Sequence, residues 1–176
     1  MTNETMGNQQ ATQAEIGWLA GIIDGEGRIG ISQQNTKVSR SVAFDLQIVN
    51  TDPGLIEKVI RIMRAMGVNP YVRDRVHQKS TWSTNQIVSV RKMTHIKRIL
   101  DSCAEHLTGM KREKAEMMLA LIESRMTKTR ADRYDVYEMG IVQGFRDRFI
   151  GRCGASTTAR KARELVSSVK IQSGLA

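Results

Sequence analysis

Asp24 and Glu26 are each followed by a glycine and close the run Leu19-Ala20-Gly21-Ile22-Ile23-Asp24-Gly25-Glu26-Gly27. Carboxylates are hard oxygen donors suited to a divalent cation such as Mg²⁺. Such an ion can make a bound water nucleophilic and stabilise a leaving oxyanion. The element that must position them is a predicted helix over residues 12–24. Ile16, Leu19, Ala20 and Ile23 fall at the spacing of a buried helix face. Ala14, Gly17 and Gly21 form a second stripe, where small residues let two helix backbones approach closely. Thr12-Gln13-Ala14-Glu15 fits a capping box at the helix start. Gly25 is expected to stop the helix in a left-handed conformation, leaving Glu26 at the tip of a buried element. Alone, the D-G-E-G run would be the turn that ends a core helix; the small-residue stripe sets it apart.

The following elements alternate. Arg28 to Ser32 reads as a half-buried strand, Gln33 to Ser39 as a hairpin tip, and Val42, Phe44, Leu46 and Ile48 mark a second strand. Asn50-Thr51-Asp52-Pro53 signals a helix start, with Leu55, Ile56, Val59, Ile60 and Met63 as its stripe, ending at Gly67. Tyr71–Arg75 and Gln86–Val90 form a second strand pair. Thr94 is expected to cap a helix carrying Ile96, Ile99, Leu100 and Cys103, and another helix runs from about Lys111 to Arg125. This order predicts an antiparallel sheet with helices on one face. The other face would carry Arg28, Ser32, Gln34, Ser41, Gln47, Arg73, Arg75 and Gln86, with Asp45 as a single acid. Arg suits guanine and Gln suits adenine in the major groove, although a merely solvated face would also be polar.

Composition fits a nucleic-acid partner. The 176 residues hold 27 Lys and Arg against 18 Asp and Glu, a net charge of +9, so the surface should attract phosphates. Aromatic residues make up 5% of the chain, which speaks against a base-stacking single-strand binder and for a duplex reader. Cys103 and Cys153 lack metal-ligand spacing and are expected reduced, and the three histidines show no cluster. The first eleven residues are polar and unlike a targeting peptide, and no apolar run could span a bilayer. The expected setting is intracellular and soluble, without a membrane partner. The expected organisation is a flexible polar segment over 1–11, one domain over 12–170 and a tail over 171–176.

Residues 19–27 resemble the motif of the LAGLIDADG homing endonucleases. Leu19-Ala20-Gly21 and Asp24 match it outright, Ile22-Ile23 stand for Leu-Ile, Gly25 for Ala, and Glu26-Gly27 for Asp-Gly. The resemblance extends from Thr12 to about Val169 and is closest to the single-motif, homodimeric branch encoded in group I introns. It implies an α+β, αββαββα fold, with a saddle-shaped antiparallel sheet, helices on one face, and further C-terminal helices. It also implies an interface helix with Gly17, Ala20, Gly21 and Asp24 at the dimer contact, and Glu26 as metal ligand with the Gly25 carbonyl as a second. Tyr71-Val72-Arg73-Asp74-Arg75 resembles the third strand, whose two arginines touch DNA. Lys111-Arg112-Glu113-Lys114-Ala115 resembles a later helix whose first lysine lies beside the active site. Asn50 aligns with a polar residue, commonly Gln, that orders water. Ala155–Lys161, with Arg160 and Lys161, resembles a basic loop on the DNA backbone.

Nothing repeats the motif, and one copy per chain implies a twofold dimer reading a long pseudo-palindromic duplex. The implied activity is Mg²⁺-dependent double-strand cleavage leaving staggered ends, in the service of intron homing. Mn²⁺ is expected to substitute, and Ca²⁺ to bind without cleavage. Two other classes compete: a DNA-binding regulator of the same fold that does not cut, and an RNA maturase acting on its host intron. The acid at Glu26 favours the nuclease, because a pure binder gains nothing from a carboxylate beside phosphates. No residue pattern speaks for RNA.

Overall fold

The computed structural model describes residues 10–35, 40–75, 84–129 and 131–150. Helix α1 (Gln13–Glu26) leads into strands β1 (Gly27–Asn35) and β2 (Arg40–Asn50). Helix α2 (Pro53–Ala65) separates them from β3 (Tyr71–Arg75) and β4 (Asn85–Val90). Helices α3 (Met93–Cys103), α4 (Gly109–Met126) and α5 (Val136–Phe145) follow, α5 ending in a π-helical turn at Arg146–Ile150. The strands are antiparallel in the order β1-β2-β4-β3.

Thr12 caps α1 as its sequence predicts: its side chain accepts from the Glu15 amide, and Glu15 accepts from the Thr12 amide in return. Leu19, Ala20 and Ile23 have no exposed surface, each large apolar side chain contributing roughly 1.5–3 kcal/mol by burial. They join Ile29, Ile31, Phe44, Leu46, Ile48, Val88 and Val90 from one sheet face, together with Val59, Ile62, Ile99, Leu100, Met118 and Ile122 from the helices. The sheet therefore has one covered face and one open face.

Several boundaries differ from expectation. Helix α1 continues through Asp24 to Glu26, and Gly25 is helical; among the described residues only Gly67 and Gly109 have positive φ. The helix instead stops because Gly27 turns to an extended conformation, its amide donating to the Ile23 carbonyl. A Cβ on Gly27 would lie 2.5 Å from that oxygen and 2.7 Å from Ile23 Cα, so Gly27 is the glycine this junction requires. Strand β1 reaches Asn35, farther than its alternation suggests, and residues 36–39 of the expected hairpin tip lie outside the described residues. Helix α3 starts at Met93 with Lys92 as N-cap, so Thr94 lies inside the first turn and does not cap it. Asp52 caps α2 by accepting from the Gly54 and Leu55 amides. No described helix is long and apolar enough to cross a membrane.

Candidate active site and nucleic-acid interface

The end of α1 gathers negative charge. Its last turn holds Asp24 and Glu26 and no basic residue, although a helix C-terminus already carries partial negative charge on its unpaired carbonyls. Two features answer that charge within the chain. The Asp24 carboxylate accepts from the Thr108 amide at 3.1 Å and from the Thr108 hydroxyl at 2.7 Å. Thr108 is the N-cap of α4 and makes no side-chain cap bond of its own, so an acid from α1 serves the positive end of α4.

Three residues into α4, Lys111 returns to the same place. Its ammonium donates to the Ile23 carbonyl at 3.0 Å and to the Gly27 carbonyl. Burial, and next the charge of Lys114, hold Lys111 below the ordinary lysine value against the opposing pull of Asp24 and Glu26. An ammonium has three donors, so one stays uncommitted.

Glu26 is different. It is exposed and, among the described residues, accepts no hydrogen bond and joins no ion pair. Gly25 beside it is exposed as well. Asn50 lies two residues beyond Ile48, which pairs with Gly27, and so ends its strand near this terminus. Its Oδ1 accepts from the Asp52 amide at 2.9 Å, leaving its NH₂ uncommitted within the turn. The structure thus gathers Asp24, Gly25, Glu26, Asn50 and Lys111 at one end of α1. A hard divalent cation fits the oxygen donors here, but among the described residues no three His, Cys, Asp or Glu side chains could hold one by themselves. Thr108 is the member that sequence reading missed; a Thr-Gly before a helical stripe is the signal that could have found it.

The small-residue stripe of α1 is open. A Cβ on Gly17, Gly21 or Gly25 would meet nothing within 4 Å, and Ala14 and Gly21 are exposed. Ala20, expected at the dimer contact, is wholly buried inside the protomer, because it shares the stripe of Leu19 and Ile23. Asp24, also expected at that contact, is engaged by Thr108 of the same chain.

On the sheet, residues directly opposite one another share a face. Arg28 pairs with Gln47, Ser32 with Ala43 and Gln34 with Ser41, while Gln47 pairs with Ser89 and Val49 with Ile87. Tyr71, Arg73 and Arg75 pair with Ser89, Ile87 and Asn85. All these positions belong to the open face. Gln86 does not: it pairs with Asn50 and Asp74 in the row that continues the core side, and its amide donates to Asp74 at 3.2 Å. Asn85 takes the place expected for Gln86. The cause is that Ile87 and Val88 are both buried, Ile87 lying outside the main core cluster, so the two faces of this inner strand look alike. The alternation Val88-Ser89-Val90 is the signal that identifies the correct face. Arg160 and Lys161, with the rest of residues 155–161, lie outside the described residues.

A family model described as a LAGLIDADG-like domain matches residues 13–103, just over half of the chain. No curated protein matches the sequence significantly. Among solved structures, the homing endonuclease I-CvuI, in complex with its target in the presence of calcium, is similar at 16% identity and a TM-score of 0.52. That match covers 77% of this chain and 94% of that one. The archaeal intron-encoded homing endonuclease I-Vdi141I, complexed with DNA, is similar at 13% identity and a TM-score of 0.52, covering 75% of this chain and 96% of that one. The group I intron-encoded homing endonuclease I-CeuI, also complexed with DNA, is similar at 17% identity and a TM-score of 0.52, covering 67% and 58%.

Proposed function

The chain belongs to the LAGLIDADG-like domain family, and from that premise we propose that it is a site-specific double-strand DNA endonuclease acting as a homodimer. The observation that carries the proposal is the contrast at the end of α1. Asp24 and the terminal carbonyls are engaged by Thr108 and Lys111, whereas Glu26 is left exposed at the same negative terminus. A carboxylate in that position is destabilising unless a cation joins it.

In this reading residues 12–170 form the protomer, and the open stripe of Ala14, Gly17 and Gly21 meets its symmetry mate. The two α1 ends then lie together at the centre of one duplex. Glu26, with the Gly25 carbonyl, would hold Mg²⁺ or Mn²⁺, and Ca²⁺ would bind without supporting cleavage. An ion held there would supply Lewis acidity toward the scissile phosphate and an attacking water. Lys111 directs its remaining N–H at the phosphate oxygens, where charge develops as the bond breaks. The Asn50 amide orients a water. Arg28, Ser32, Gln47, Arg73, Arg75 and Asn85 read base edges from the open face, with Gln34 and Ser41 at its outer end, and Arg160 and Lys161 grip the backbone. I-CvuI, I-Vdi141I and I-CeuI are each seen in complex with DNA or with a DNA target, and the same partner is proposed here.

The test is incubation of the protein with a randomised duplex library in Mg²⁺, followed by sequencing of the ends produced. Staggered breaks centred within one long, pseudo-palindromic motif are expected. Enrichment of a bound motif that is never cut in Mg²⁺ or Mn²⁺ would leave a DNA-binding regulator instead.

A further inference from the structure

Asp45 is the one acid on the open sheet face among the described residues. On a surface meant for phosphates such a charge lowers affinity for every duplex alike, so its presence calls for a specific task. Its surroundings suggest which one. Across the ladder from Asp45 lies Gly30, which has no side chain to cover it. The Arg28 guanidinium extends over that glycine, with Nε 3.6 Å from where a Cβ would stand. On the other side β4 ends at Val90, paired with Leu46. The next residue, Arg91, brings its Nε to 3.8 Å from Asp45 Oδ1.

One turn of the pleat along β2, Gln47 donates from Nε2 to Asp45 Oδ1 at 3.1 Å. A carboxylate only accepts hydrogen bonds, so this contact fixes which end of the Gln47 amide faces Asp45. An unrestrained glutamine can rotate its amide to offer a base either a donor or an acceptor. Gln47 held in this way has its carbonyl oxygen committed to the remaining side.

We propose that Asp45 is a specificity-determining residue that locks the Gln47 amide, so that Gln47 and the second Asp45 oxygen together select a base edge presenting a hydrogen-bond donor. This rests on the reading of the open face as a duplex-reading surface. In the major groove the donor edges are the amino groups of adenine and cytosine, whereas guanine and thymine offer O6 and O4 as acceptors. Gln47 stands opposite Arg28, one residue from Gly27 and the end of α1, so the base concerned belongs to the inner part of each half-site.

The experiment selects bound duplexes from a randomised library in Ca²⁺ and compares the wild type, Asp45→Asn and Gln47→Ala. Asparagine keeps the shape of Asp45 but can donate, so it frees the Gln47 amide to turn. The wild type should show, at one symmetric pair of inner positions, a preference of about fivefold or more for adenine or cytosine over guanine or thymine. Asp45→Asn should reduce that preference to near unity at those positions alone, while its affinity for unselected duplex holds or rises. Gln47→Ala should lose the preference at the same positions. An Asp45→Asn motif identical to the wild type would overturn the proposal, as would a uniform loss of selectivity along the whole site. A wild type that enriches no sequence would overturn the duplex-reading proposal itself, an outcome already visible before the variants are compared.

Discussion

Glu138 and Glu26 both lie at helix ends, but in opposite circumstances. Glu138 has no exposed surface and is surrounded by donors: Ser124 Oγ at 3.0 Å, Lys128 Nζ at 3.0 Å, Arg125 Nη1 at 3.5 Å and the Asp135 amide at 3.0 Å. Burial pulls its pKa upward, but the Asp135 amide, Lys128, Ser124 and the Arg125 charge outweigh that and hold it below the usual carboxylate range. It is at the positive N-terminus of α5, where an anion is welcome. Glu26 is at the negative C-terminus of α1, exposed, with no described partner. A saturated carboxylate at the favourable pole of a helix holds a fold together. An exposed one at the unfavourable pole, near a Lys111 ammonium already donating to the terminal carbonyls, is suited to a bound cation.

The largest stability effect should come from the saturated one. Glu138→Ala leaves Arg125, itself 8% exposed, without its buried partner, and should cost about 3–5 kcal/mol, read by urea unfolding. The wild-type network should also be acid-sensitive. Because the folded pKa of Glu138 is depressed, its contribution is present above the unfolded carboxylate value, near 4.3, and is lost as pH falls through the folded value. Removing Glu138 should therefore flatten the acid limb of the stability curve, and an unchanged limb would contradict its assigned role.

Gly21→Leu separates protomer from dimer. Nothing in the chain stands within 4 Å of a new Cβ there, so the chain itself should unfold no more easily, and losing a mid-helix glycine should raise its stability by up to about 1 kcal/mol. In the proposed dimer the helix–helix contact would be overpacked, typically by about 1–3 kcal/mol. Sedimentation should then shift from dimer toward monomer. A variant that remains as dimeric as the wild type would move the interface off α1.

Finer still is the contrast between neighbours on β4. Asn85→Ala should relax preference at one symmetric pair of bases, by about 1–3 kcal/mol for a lost bidentate contact. Gln86→Ala, on the other face, should leave the selected motif unchanged. The reverse result would reverse the assignment of faces.

These neighbours also show where the sequence was readable. Alternation in Arg28–Ser32 and Val42–Ile48 specifies the faces of β1 and β2 because each has one dry side and one wet side. It fails on β4, whose Ile87 and Val88 are buried on opposite faces of an inner strand. Helix α1 and its capping box were legible from Thr12, Glu15 and the apolar stripe, and Glu26 from its place at the helix end. The engagement of Asp24 with Thr108, 84 residues away, was not, because no local pattern encodes a contact made by tertiary packing. Gly25 misled for a related reason: Gly27 ends the helix through a close approach to Ile23 that a count of glycines cannot reveal.

In the proposed nuclease the exposed Glu26 carboxylate performs chemistry while Asp24 and Thr108 hold the terminus in place. The most direct test is strand cleavage of the selected duplex in Mg²⁺ by wild type, Glu26→Gln and Asp24→Asn, with unfolding measured on each. Glu26→Gln should lower cleavage by orders of magnitude, be as stable as the wild type or slightly more so without metal, and bind the duplex without metal as well as the wild type or better. Asp24→Asn should lose stability at the α4 junction. Wild-type cleavage by Glu26→Gln would contradict the account.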